Sequence, residues 1–124
     1  MKRQNGVSGA SHPELDDPAD AAATLPRVLC VAGSDPSGGA GLQADLKTLQ
    51  ALGVYATSVV TAITVQDTHR VYEVLPIDPW LVERQMATVL DDVGADAIKI
   101  GMLARRDTVE LISRLCQSKA RGIP

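Results

Sequence analysis

Gly33-Ser34-Asp35-Pro36-Ser37-Gly38-Gly39-Ala40-Gly41 joins two segments of different periodicity. Before it, Val28 to Ala32 is a short apolar run of the kind that forms a buried strand. After it, Leu42, Leu46, Leu49 and Leu52 recur at helical spacing. A glycine-rich turn between a strand and a helix is expected to leave backbone N–H groups free at the positive end of the helix dipole. Such a turn suits an anion or a polar small molecule.

The same alternation continues outward. A helix is expected from about Ala40 to Leu52, stopped by Gly53 as a C′ glycine. A β-branched run from Ala56 to Val65 predicts strand two, and Val71 to Leu75 a short extended piece. Asp78-Pro79 reads as N-cap and first helical residue, ahead of a face of Val82, Met86, Val89 and Val93 that stops at Gly94. Strand three is expected over Asp96 to Ile100. Asp107 with Glu110 resembles a capping box for a last helix with Leu111, Ile112 and Leu115 inward. Repeated β-α units with apolar strands predict an α/β fold with a mainly parallel sheet covered by helices.

Composition narrows the function classes. The 124 residues suffice for one domain or a piece of one, and 45% hydrophobic residues supply a core. There is no Phe, and only Trp80, Tyr55 and Tyr72 are aromatic, so that core is aliphatic. A net charge of −3 without a basic tract argues against nucleic acid. Cys30 and Cys116 make no disulfide framework and read as core thiols. No apolar run is long enough to span a bilayer. Residues 1–25, rich in Gly, Pro, Ser and Asp and without a hydrophobic signal core, read as a disordered leader. A cytoplasmic protein is the default expectation. The final Gly122-Ile123-Pro124 sits where a helix would end and another strand begin, which predicts the first half of a longer chain.

Ligands of open α/β sheets bind at the carboxyl ends of the strands. Three such ends are expected here: Gly33, Gln66-Asp67 and Gly101-Met102. Asp45 falls among the leucines of its helix, and a carboxylate there needs a partner. The helix dipole with nearby N–H groups, or a ligand at the loop mouth, would each serve. Gln66 offers donors and an acceptor suited to a heterocycle, or to backbone and water. Met102 could pack on a flat ring or in the core. Lys99 interrupts an apolar strand and should pair with an acid or snorkel. His12 and His69 have no second ligand at metal-binding spacing, so no metal site is expected within the chain.

The loop is not a Walker A, because no Lys-Ser or Lys-Thr follows its glycines. Gly39-Ala40-Gly41-Leu42-Gln43-Ala44 matches a dinucleotide fingerprint, with Asp67 as a candidate ribose acid. The match is weak, since Ser34 to Gly38 separate the strand from the fingerprint where a dinucleotide fold turns tightly.

Ala32 through Thr48 closely resembles the opening signature of the hydroxymethylpyrimidine/phosphomethylpyrimidine kinases of thiamine biosynthesis. Val60-Thr61-Ala62 through Gln66-Asp67-Thr68, and Lys99 through Ala104, resemble the same family in the same order. The likeness runs from Val28 to about Leu115. It implies a ribokinase-like three-layer fold, truncated after the first β-α units, with residues 26–124 as the N-terminal part of the kinase domain. It also implies transfer of the γ-phosphate of ATP, with Mg²⁺, to the pyrimidine and then to its monophosphate. Gly33, Asp45, Gln66 and Met102 match positions lining the family's pyrimidine pocket. Asp45 and Gln66 would bond the substrate, and Met102 would pack on its ring. The family's ATP site and catalytic residue lie in its second half, so no catalytic residue is expected within this chain. It should bind weakly alone and not turn over. The partners implied are a small pyrimidine and ATP, without nucleic acid or membrane, and a homodimer stays open. Two other readings are a small non-catalytic nucleotide-binding protein and a pyridoxal-type vitamin kinase, whose loops look less like this one.

Overall fold

The structure is a computed structural model, and it describes residues 25–124. The expected leader lies outside the described residues save for Leu25, as does His12. The described elements are β1 (Arg27–Ala32), α1 (Gly41–Ala51), β2 (Tyr55–Val60), β3 (Ala62–Gln66), β4 (Val71–Pro76), α2 (Pro79–Asp92), β5 (Ala97–Ile100) and α3 (Arg106–Gln117).

β1 is the centre of a parallel sheet ordered β2-β1-β5. Its side chains alternate between two cores, as strand geometry requires. Leu29 and Val31 join Val59, then Val82 and Met86 of α2 and Leu111, Ile112 and Leu115 of α3. Cys30 and Ala32 face the other way onto Leu42 of α1, with Leu49 and Val60 closing that side. Helices therefore cover both faces, the three-layer α/β arrangement expected from the sequence. Cys30 is fully buried, Cys116 is half-buried, and both thiols are free. Burial pushes the Cys30 thiol up from its ordinary pKa. No helix among the described residues is long and apolar enough to cross a membrane.

The expected second strand is two strands. Thr61 breaks it: β2 stays in the parallel sheet, while β3 turns away and pairs antiparallel with β4. All three polar groups of Thr61 are used at this corner. Its N–H donates to the Ala32 carbonyl, its carbonyl accepts from Ile77 N–H, and its hydroxyl donates to the Met102 carbonyl. A run of β-branched residues without Gly or Pro gives no local sign of such a corner.

The outer side of β2 is closed at its carboxyl end by a side chain. Gln85 of α2 accepts from Val60 N–H at 2.9 Å and donates to Val60 C=O at 3.1 Å. On the far side of the sheet, Ile98 N–H donates to the Pro124 carbonyl.

Helix ends differ in detail from the expected ones. Gly53 and Gly94 are left-handed at their helix ends, as predicted. Leu52, expected inward, lies at the C-cap and is 71% exposed, because the helix has ended before its stripe does. Asp78 precedes Pro79 without making a side-chain cap bond. Asp107 sits inside the first turn of α3 and holds Arg105 rather than serving as the N-cap.

Candidate functional site

The glycine-rich loop is folded around Asp35. This carboxylate is 2% exposed and accepts from Ser37 N–H (2.9 Å), Ser37 Oγ (2.7 Å), Gly39 N–H (3.1 Å) and Ala40 N–H (2.7 Å). Gly38 N–H donates to the Asp35 carbonyl, and Leu42 N–H to the Gly33 carbonyl. The expectation of free amides is thus corrected: the anion at the start of α1 is the chain's own Asp35. The Ser37 hydroxyl, followed by the Ser37, Ala40 and Gly39 amides, holds the Asp35 carboxyl below the usual carboxylate range against the opposing effect of desolvation.

Two side chains of α1 tie the loop down from outside. Gln43 accepts from Asp35 N–H at 2.7 Å and donates to Ser34 Oγ at 2.7 Å. Lys47 donates to the Gly38 carbonyl. Gly41 must be glycine, since it is left-handed (φ 56°) and a Cβ there would sit 2.5 Å from the Gly33 oxygen. The helical spacing of the leucines carries no sign of these clamps, which come from the polar side of α1.

A cavity of about 210 Å³ opens beside this loop. Gly33, Ser34, Thr64, Gln66, Lys99 and Met102 are among its walls. Three of the four predicted site residues, Gly33, Gln66 and Met102, are therefore brought together. The fourth, Asp45, lies behind Lys99. The Lys99 ammonium donates to both of its carboxylate oxygens, at 2.8 and 2.7 Å. The partner that Asp45 required is a lysine from β5, and the acid that Lys99 required is Asp45.

Each wall has a local cause. Gly33 ends β1 without a Cβ, and one added there would come within 2.6 Å of the Met102 methyl. Met102 is 45% exposed, so it is a cavity wall and not core. Gln66 ends β3 beside a register shift in the hairpin. Thr64, two residues earlier on the same face, donates to the Ser34 carbonyl at 2.7 Å and lies 3.5 Å from Gln66 Oε1.

The features of the alternative nucleotide reading are spent elsewhere. Asp67 accepts from His69 N–H, Arg70 N–H and Tyr72 Oη, so it builds the β3–β4 turn. The Tyr72 hydroxyl and then those amides hold its carboxyl below the ordinary range. Gly39 and Ala40 give their amides to Asp35. These occupied amides do not fit the phosphates of ATP, and a cavity of about 210 Å³ lies below the roughly 300–1,000 Å³ of ordinary ligand pockets. Among the described residues no cluster of His, Cys, Asp or Glu could hold a metal ion.

Known proteins match the chain over most of its described residues. The phosphomethylpyrimidine kinase family model matches residues 35–123. The hydroxymethylpyrimidine/phosphomethylpyrimidine kinase of Escherichia coli (strain K12) is 52% identical over 89 residues, which cover 72% of this chain and 34% of that enzyme. A solved phosphomethylpyrimidine kinase from Clostridium difficile 630 superposes with a TM-score of 0.71 at 41% identity, over 74% of this chain and 40% of that one. An ADP complex of Bacillus subtilis pyridoxal kinase gives 0.73 at 40% identity, over 80% and 38%. The chain thus spans about a third of the length of the Escherichia coli and Salmonella typhimurium enzymes it matches. By the match over residues 35–123, the chain belongs to the phosphomethylpyrimidine kinase family, and its fold is that of the vitamin kinases with ribokinase-like architecture.

Proposed function

We propose that residues 26–124 are the amino-terminal part of a kinase domain and supply its acceptor pocket. The acceptor is 4-amino-5-hydroxymethyl-2-methylpyrimidine or its monophosphate. Gly33, Gln66 and Met102 contact the ring, and Asp45, held behind Lys99, acts on the pocket without lining it. The observation that carries this reading is the small cavity between Gly33, Gln66 and Met102, next to a loop whose amides are already taken. Gln66 can give and accept a hydrogen bond along a heterocycle edge. Met102 supplies an apolar surface over the bare backbone of Gly33.

ATP and Mg²⁺ belong to the reaction by family, and we assign neither to a residue of this chain. Phosphoryl transfer depends on positioning and on neutralising charge around the transferred group, and the groups for both lie elsewhere in this proposal. No residue of the chain is assigned a catalytic role.

The test is a graft. Residues 25–124 replace the matching segment of the Escherichia coli enzyme, and ATP-dependent phosphorylation of the pyrimidine is measured. Turnover supports the reading, and a folded but inactive graft refutes it. Gln66→Ala in the active graft should raise KM for the pyrimidine and leave KM for ATP unchanged. A second reading, phosphorylation of pyridoxal-type vitamers, is favoured by the likeness to pyridoxal kinase. Turnover of pyridoxine above that of the pyrimidine would establish it.

A further inference from the structure

The cavity floor contains a cation that the pocket reading leaves unused. Lys99 is paired in register with Cys30, so its side chain rises on the α1 side of the sheet. It passes over Gly101, where a Cβ would come 3.4 Å from the ammonium nitrogen and 2.9 Å from the Ala32 Cβ. The bare backbone at Gly101 avoids a clash with Ala32 and lets the lysine lie directly over the strand end. An ammonium carries three N–H donors. Two go to the Asp45 oxygens, and among the described residues nothing accepts the third. Lys99 is 47% exposed and lines the cavity, whereas Asp45 is 17% exposed and does not line it.

We propose that Lys99 is the substrate-contacting cation of this cavity and that Asp45 is its positioning residue. Lys99 donates its third N–H to a lone pair of a heteroaromatic alcohol, either a ring nitrogen or the hydroxyl oxygen. Asp45 acts through Lys99, fixing the ammonium by holding it with both oxygens. A hydrogen bond from a charged donor is stronger than a neutral one, and a held lysine loses less freedom when the ligand arrives. This inference rests on the acceptor-pocket reading and adds to it which group meets the ligand. Gln66 faces the same space, so a bound ring would be read from two walls by groups of different capacity: a cation that only donates, and an amide that donates and accepts.

The test uses the 124-residue chain, with 4-amino-5-hydroxymethyl-2-methylpyrimidine as probe, amide NMR shifts of Gly33 and Gly101 as readout, and a thermal melt of every variant. Lys99→Met should weaken binding by about tenfold or more, with Lys99→Arg recovering part of it. Asp45→Asn should weaken binding less than Lys99→Met, and Asp45→Glu should recover that loss. Lys99→Met leaves the 17% exposed Asp45 carboxylate without its partner and should lower the melting point, so binding is compared at a temperature where every variant is folded. Should Lys99→Met fail to fold, Lys99→Gln takes its place. Binding by Lys99→Met within about twofold of the parent, while Gln66→Ala loses it, overturns the role of Lys99 and leaves the pocket reading standing. A larger loss in Asp45→Asn than in Lys99→Met places Asp45 on the ligand and also overturns the assignment. No shift in the parent chain at millimolar probe refutes the pocket reading and this inference together.

Discussion

The hydroxyl of Thr61 donates to the carbonyl of Met102 across 2.6 Å, at the corner where β2 gives way to β3. One bond thus links the hairpin, the end of β5 and a cavity wall. Thr61 is fully buried, so Thr61→Val leaves the Met102 carbonyl without its partner. The expected cost is about 1–3 kcal/mol, read from urea unfolding. Thr61→Ser, which keeps the donor, should lose less. A larger loss in Thr61→Ser than in Thr61→Val would mean that the methyl group, not the bond, matters.

Gly33 and Met102 should behave as one unit. Gly33→Ala puts a Cβ 2.6 Å from the Met102 methyl, which must move off its wall. The side chain is long and half-exposed, so stability should change little while pyrimidine affinity falls. In Gly33→Ala/Met102→Ala the clash is gone. The double variant should therefore bind no worse than Met102→Ala alone, a non-additive result expected for residues in contact. Additive losses would show that the two act separately.

Acid should loosen the chain through particular carboxylates. Arg27 holds Asp96 through its guanidinium and its backbone N–H, and the Asp96 carboxyl falls from 3.8 to about 2. Asp35 is also depressed, first by the Ser37 hydroxyl. A lowered folded value means that the stabilisation is present above the unfolded value and lost as pH falls through the folded one. For Asp96 the window is from near 3.8 down to about 2. Melting points taken across that window should fall, and Asp96→Asn should flatten its part of the fall. An unchanged slope in Asp96→Asn would refute the assignment.

Met86 is fully buried between Leu29, Val59 and α3. Met86→Ala should cost about 2–5 kcal/mol in denaturant unfolding, without a specific effect on the cavity, which lies across the sheet. A variant that keeps its stability but loses ligand shifts would contradict the separation of the two cores.

The parts of this fold carried by periodicity were legible in the chain. The apolar strand at Val28–Ala32, the Val82/Met86 stripe and the Leu111/Ile112/Leu115 stripe each report their own burial. The Thr61 corner was hidden, because Ala56 to Val65 satisfies strand preference on both sides of it. The loop was read as an empty cradle because its glycines are conspicuous. Its occupant was nevertheless written in Asp35-Pro36-Ser37, an Asx-type signal in which the acid bonds to amides a few residues on. That Gly33, Gln66 and Met102 share one cavity was anticipated from strand ends and resemblance together. Asp45 and Lys99 were each read as needing a partner. That they meet is a long-range fact, fixed by how β5 registers beside β1 under α1, and neither local segment contains it.

The amide of Gln85 has a further consequence. By taking both backbone groups of Val60, it imitates a one-residue neighbouring strand. A foreign chain seeking to lengthen the sheet past β2 would have to evict that side chain first. At Val60, then, the outer edge of β2 offers no bare backbone for edge-to-edge pairing.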